Sequence, residues 1–214
     1  TGCQSCGCWA CLPKIIKITK DIDNNLLKKI DNQYFDTDGN RENLRFILEV
    51  ARILKLKKKV LLKTLKKFKA LKFRQETIFK SKNLTIINDS KATTFSSSVS
   101  LLKSLTNVYW IVGGQAKKGD KLLLSKKNCK NFKAYIFGSN KNFFIGKIKK
   151  IMKYESFSDL KNLIKKLSLE MRNNKSLTHK TIFFSPSAAS FDSFKNFEKR
   201  GEYFNQLIKR YMNV

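Results

Sequence analysis

Residues 84–102 read LTIINDSKATTFSSSVSLL, and the fold is decided by how this stretch is parsed. Leu84 to Asn88 form a short, mostly apolar run that predicts a strand. The chain then turns polar at Asp89, Ser90, Lys91, Thr93 and Thr94. Val99, Leu102 and Leu105 follow at threefold spacing, which predicts an amphipathic helix. A strand leading directly into a helix is the opening of a βα unit. Its polar junction lies at the strand's carboxyl end, where open α/β sheets bind ligands.

The same rhythm continues on both sides. Beyond residue 70 the predicted strands are 76–79, 84–88, 108–112, 134–137 and 181–185. The predicted helices are 96–105, 119–127, 141–151, 158–173 and 192–211. Alternation of this kind implies an α/β domain with a mainly parallel sheet and helices on both faces. Right-handed crossovers would bring the loops after the strands to one edge. That edge should carry Asp89, Lys91 and Thr93, then GGQAKKGD (113–120), Gly138, and SPSAAS (185–190). Glycines let backbone approach a ligand, and helix N-termini favour anions. Four polar loops on one edge point to a site.

Upstream, residues 15–18 predict a strand, 24–30 a short helix, and Tyr34 and Phe35 an edge strand. DTDGN (36–40) predicts a turn with Gly39 at positive φ. Leu44, Ile47, Leu48, Ala51 and Leu54 fit one face of a helix, and 57–68 predicts another. The expected organisation is therefore a leader over 1–12, the end of a second α/β domain over 13–70, and the main domain over 71–214.

The chain has 214 residues and a formal charge of +29. Lysines number 38 against seven arginines, and Asn, Ile and Phe are also frequent, as an AT-rich coding sequence would give. Base and phosphate readers favour arginine for its bidentate fork, so no nucleic-acid partner is expected. The excess charge is read as coding bias on solvated faces. No apolar run nears the roughly 20 residues of a membrane helix, and no signal-peptide pattern is present, so the cytoplasm is expected. Cys3, Cys6, Cys8 and Cys11 have a spacing that could hold zinc or a cluster through thiolates. Yet TGCQSCGCWACLP (1–13) contains neither Lys nor Asn, which marks a compositional break and favours a foreign leader. Because the first residue is Thr1, a fragment of a longer protein is expected.

NDSKAT (88–93), the glycine pair followed by Lys117, and SPSAASFDSFKNFEKRG (185–201) together resemble the Mur ligases. NRENL (40–44) is similar to that family's His-Asn-x-x-Asn motif, and LKFRQE (71–76) to its Leu-x-His-Arg-x-Glu segment. The resemblance covers roughly residues 14–214. It implies the carboxyl-terminal portion of an ATP-dependent amide ligase, ending in a Rossmann-like domain. The 185–201 block implies the branch that adds D-glutamate to UDP-N-acetylmuramoyl-L-alanine through an acyl phosphate in peptidoglycan precursor synthesis. A related Mur- or folylpolyglutamate-type amide ligase is the first alternative, and a basic nucleic-acid-binding module the second.

The resemblance also assigns residues. Lys91 and Thr93 match positions facing the reaction centre. Lys117, Ser190 and Phe197 match positions that hold D-glutamate. Asn40, Asn43, Arg74 and Asp89 match the ATP side. Other roles compete: Asn40, Asp89, Thr93 or Ser190 could cap helices, and Phe197 could be core. Gly39 and Phe73 replace family histidines, and Gln115-Ala116 stands where Asp-Gly is common. No Gly-x-x-Gly-Lys-Ser/Thr phosphate loop occurs, and no Mg2+ ligands are identified. The chain is therefore expected to be inactive alone, and monomeric.

Overall fold

The computed structural model describes residues 18, 21–36, 38–69, 71–129, 131–174 and 176–212. The cysteine leader and nearly all of the strand expected at 15–18 lie outside these. The chain divides into two compact units, residues up to 36 with 40–68, and residues 37–39 with 69 onward.

The described part of the first unit is helical. Helix α1 (Asn24–Ile30) starts where Asp23 Oδ1 accepts the Asn25 N–H at 2.9 Å. It is followed by a 3-10 turn (Gln33–Asp36), α2 (Asp38–Ile53) and α3 (Lys58–Lys67). Ile30, Phe35, Leu44 and Leu65 form its core. Tyr34 and Phe35 were expected in an edge strand. Instead, the Asn32 side chain accepts the Tyr34 N–H at 3.0 Å and its carbonyl accepts the Phe35 N–H at 3.0 Å, winding the segment into a turn. Gly39 lies in the first turn of α2 and is not among the positive-φ residues. Leu44 and Ala51 are buried on α2, whereas Ile47 and Leu54 face outward.

The second unit is a six-stranded sheet: β1 (Glu76–Lys80), β2 (Leu84–Asn88), β3 (Val108–Gly113), β4 (Lys133–Phe137), β5 (Lys153–Ser156) and β6 (Lys180–Phe184). The order is β1-β2-β6-β3-β4-β5, with only β1–β2 antiparallel. Period-2 alternation splits the strand side chains between two layers. On one face Ile87, Trp110, Val112, Ala134, Ile136 and Phe183 pack under α4 (Phe95–Ser104) and α5 (Lys141–Ile148). On the other, Ile86, Ile111, Tyr135, Phe137, Ile182 and Phe184 meet α6 (Leu160–Asn173) and α7 (Phe197–Met212). The expected α/β architecture is therefore present.

Two elements differ from expectation. No α-helix covers 119–127. Gly119 sits at φ +82°, Leu124 is pulled into the core, and only Lys126–Cys129 winds into a 3-10 turn. Strand β5 was not expected: it is a four-residue edge strand with a mostly exposed pattern, so neither length nor alternation marks it.

Candidate functional site

The predicted ligand edge exists, and the chain stitches its loops together. After β2, the Asp89 N–H donates to Phe184 O at 2.7 Å, joining β2 to the end of β6. After β3, the Gly113 N–H donates to Pro186 O at 2.9 Å, and Gln115 and Ala189 exchange two backbone bonds of 3.0 Å. After β4, Asn140 Oδ1 accepts the Ala116 N–H at 2.8 Å, and Asp192 Oδ2 accepts from Ser139 N–H and Oγ–H at 3.3 Å. The glycine pair makes the approach possible. Gly113 and Gly114 have φ of +140° and +124°, and a Cβ on Gly113 would stand 2.0 Å from Phe137 O.

Beneath these loops lies Arg200, fully buried on α7. Its guanidinium donates to Ser90 Oγ (3.1 Å), Ser90 O (2.7 Å), Ala188 O (2.9 Å) and Ala189 O (3.1 Å). One side chain thus clamps the β2 loop to the β6 loop. Burial lowers its pKa to about 10, partly offset by Asp192, so it stays charged at neutral pH. The Arg200-Gly201 pair is visible in the sequence, but the clamp it forms is not. Gly201 is needed too, since a Cβ there would meet the Phe73 ring at 2.3 Å. Phe73 therefore packs against α7.

The expected site residues fall as follows. Lys91 Nζ sits 3.9 Å from the centroid of the Phe197 ring, a cation–π contact joining the β2 loop to α7. Thr93 is exposed two residues along. Lys117 is exposed on the β3 loop, and its side chain forms no ion pair among the described residues. Ser190 is 3% exposed, but it does not start the last helix, which was expected from 192 and begins at Phe197. Its carbonyl instead accepts from the Ser193 and Phe194 N–H groups in a turn.

Asp89 is buried, its Oδ1 accepting the Gln75 N–H at 3.1 Å and Oδ2 the Ser185 hydroxyl at 2.9 Å. Ser185 shares Ser98 with Ser187 through 2.6 Å contacts, a hydroxyl network that composition alone does not signal. Burial pushes the Asp89 carboxyl up to about 7 against the opposing Ser185, Gln75 and Arg74 contributions. Arg74 itself is exposed. Asn40 and Asn43 belong to the first unit. Asn40 is buried and donates to Tyr34 O at 2.7 Å, while Asn43 is exposed.

Neither Asp89 nor Thr93 caps α4. Asp120, from the lysine loop after β3, does so: its Oδ2 accepts the Phe95 N–H at 2.7 Å. A carboxylate already occupies the helix N-terminus that was expected to favour an external anion. Exposed cations on this edge are then side chains, Lys117 on the β3 loop and Arg74 ahead of β1. Cys129 is buried, which raises its thiol to about 11 and leaves it unreactive.

No family model matches the chain. Curated relatives do. It is 32% identical over 197 residues to a UDP-N-acetylmuramoylalanine–D-glutamate ligase of Wolbachia sp. subsp. Brugia malayi, covering 92% of this chain and 39% of the relative. It is 36% identical over 193 residues to the enzyme of that name in Prochlorococcus marinus, covering 85% and 40%. The chain belongs to the Mur ligase family. A crystal structure of MurF from Acinetobacter baumannii shares the fold, with TM-score 0.58 at 13% identity over 83% of this chain and 38% of that one. This Mur ligase chain spans about two fifths of the length of the curated relatives it matches. Among its described residues no helix is long and apolar enough to cross a membrane, and no three His, Cys, Asp or Glu side chains cluster to hold a metal ion.

Proposed function

We propose that this chain is the carboxyl-terminal part of a cytoplasmic, monomeric ligase that uses ATP to join D-glutamate to UDP-N-acetylmuramoyl-L-alanine through an acyl phosphate. The observation that carries this reading is one sheet edge with Lys91, Lys117 and Ser190 on loops bonded to one another, in a chain whose relatives bear that ligase name. The incoming amino acid brings two carboxylates and an amine that must stay free to attack. Lys117 offers an ammonium to one carboxylate, and Ser190 a hydroxyl within the β6 loop. Lys91, held over the Phe197 ring, faces the reacting carboxylate with Thr93 and offsets charge as the groups approach. Phe197 serves the D-glutamate site by supporting Lys91.

Within the sheet unit Arg74 and Asp89 are assigned to ATP, and within the helical unit Asn40 and Asn43 are so assigned separately. Mg2+ and the γ-phosphate would be held by the portion of the ligase that the relatives have beyond this chain, so the chain alone should release no phosphate from ATP. No nucleic acid takes part in this reaction.

The test is Lys117→Ala and Ser190→Ala in a ligase completed with the complementary portion of a relative. A hydrogen bond to a charged group is worth roughly 1.5–3 kcal/mol, so each variant should lose roughly 10- to 150-fold in D-glutamate use. The Michaelis constants for ATP and the nucleotide-linked substrate should change little. Wild-type dependence on D-glutamate in both variants would overturn the assignment.

A further inference from the structure

The opposite end of the sheet carries a second cationic feature. Two adjoining open clefts, of about 670 and 680 Å3, lie at the amino-terminal ends of β4 and β5. They share Lys126, Ile151, Met152 and Lys153, so they form one trench. Strand β4 has five residues, which places this trench about 16 Å from the loops described above.

Its floor is apolar, with Phe132, Met152 and Cys129 buried. Its walls are cationic. Lys126 and Lys127 come from the 3-10 turn, Lys149 and Lys150 from the end of α5, and Lys153 from the start of β5. All five are exposed, and none forms an ion pair among the described residues. The acid in the lining, Glu155, is held by Lys133 at 2.8 Å, and Lys133 is held again by Glu170. The trench therefore offers donors without a free carboxylate to receive any.

We propose that this trench binds an anion bearing a triphosphate group. Five exposed lysines lining one open trench raise the local positive potential, and a ligand with several negative charges is drawn to it. Lysine presents a compact point charge with rotatable donors, which suits successive phosphate oxygens without fixed fork geometry. A ligand rich in acceptors and poor in donors matches the lining. A nucleic-acid strand would need a row of aromatic platforms, whereas Tyr154 is the exposed ring in the lining. The inference is independent of the ligase reading. The competing account is that lysines merely protect edge strand β5 from pairing with another chain.

Calorimetric titration of the full chain with sodium tripolyphosphate, and separately with ATP, tests this in about 100 mM salt. One saturable site is expected. Replacing Lys126, Lys150 and Lys153 together by Gln should weaken it about tenfold, three exposed ion pairs each contributing about a factor of two. As a control for the general charge of the chain, Lys58, Lys59 and Lys63 on α3 are replaced together by Gln, and affinity should stay within about twofold. A weakening of about tenfold for tripolyphosphate alone in the trench variant identifies free polyphosphate as the ligand source, and the same weakening for ATP as well identifies a nucleotide; unchanged tripolyphosphate affinity in the trench variant overturns the proposal. The proposal is overturned if neither titration saturates, if the α3 control weakens binding as much, or if a short RNA binds where tripolyphosphate does not.

Discussion

Arg200→Lys isolates what the buried guanidinium does. The substitution keeps the positive charge but replaces a planar fork of three nitrogens by one. Arg200 donates four hydrogen bonds to Ser90 Oγ, Ser90 O, Ala188 O and Ala189 O. Ala189 O keeps a partner in the Gln115 N–H, so its loss costs little. Ser90 O and Ala188 O have no other donor among the described residues and both accept from Nη2; the lysine ammonium ends a bond short of that nitrogen, so it leaves at least one of them unmet. Leaving a buried acceptor unpaired costs about 1–3 kcal/mol, and the lost bond to Ser90 Oγ adds about 1 kcal/mol. The expected destabilisation is about 3 kcal/mol, or a fall in melting temperature of about 9 °C for a chain of this size. Trp110 reports on this unit, since it is fully buried and its indole N–H donates to Ser185 O at 2.9 Å. Trp9→Phe in both proteins makes it the sole tryptophan, so thermal unfolding followed by fluorescence reads the right transition. If the variant melts within about 2 °C of its parent, the loops do not depend on the fork, and the clamp is wrong.

Other expectations follow from the same edge. Asp120→Ala removes the carboxylate that caps α4 and should cost about 1 kcal/mol, while Asp120→Asn should recover part of it; equal melting of all three forms would deny the cap a role. Gly201→Ala places a methyl group against the Phe73 ring and should destabilise by about 1–3 kcal/mol, with Phe73→Leu in the same chain restoring part of the loss in a denaturant titration. Asp89 ties stability to pH. Its folded pKa of about 7 exceeds the value of about 3.9 expected in an unfolded chain, so the folded state holds a proton that the unfolded state has released. This contribution is complete below about pH 4 and is lost as pH rises through about 7, amounting to about 3 kcal/mol between about pH 5 and pH 8. Asp89→Asn should flatten that slope in denaturant unfolding, and an unchanged slope would place the titration elsewhere.

What could be read from sequence follows a physical division. Strands β2, β3, β4 and β6 are buried apolar runs, and α4, α6 and α7 carry apolar residues at helical spacing, so each announces itself locally. Their loops share an edge because these four strands run parallel. The failures occur where tertiary contacts override local pattern. LLL at 122–124 looks helical, yet Asp120 is recruited to cap α4 and Leu124 is drawn into the core, so the segment runs flat. Tyr34 and Phe35 suit a strand by propensity, but Asn32 captures the N–H groups of both. At the site, a lysine at a strand end is legible because a buried strand has no structural need for one. Buried polar residues are not, because Arg200, Ser98 and Ser185 each depend on a partner 87 to 110 positions away. Phe197 illustrates the same division. From sequence it matches a substrate-contacting position, but its ring lies under the Lys91 ammonium. Tyr at this position preserves that cation–π contact and Leu abolishes it. Phe197→Tyr in the completed ligase should therefore retain turnover, and Phe197→Leu should reduce kcat by about 2- to 30-fold, the loss expected for a contact of about 0.5–2 kcal/mol. If Leu instead raises only the Michaelis constant for D-glutamate, Phe197 touches the substrate directly and does not act through Lys91.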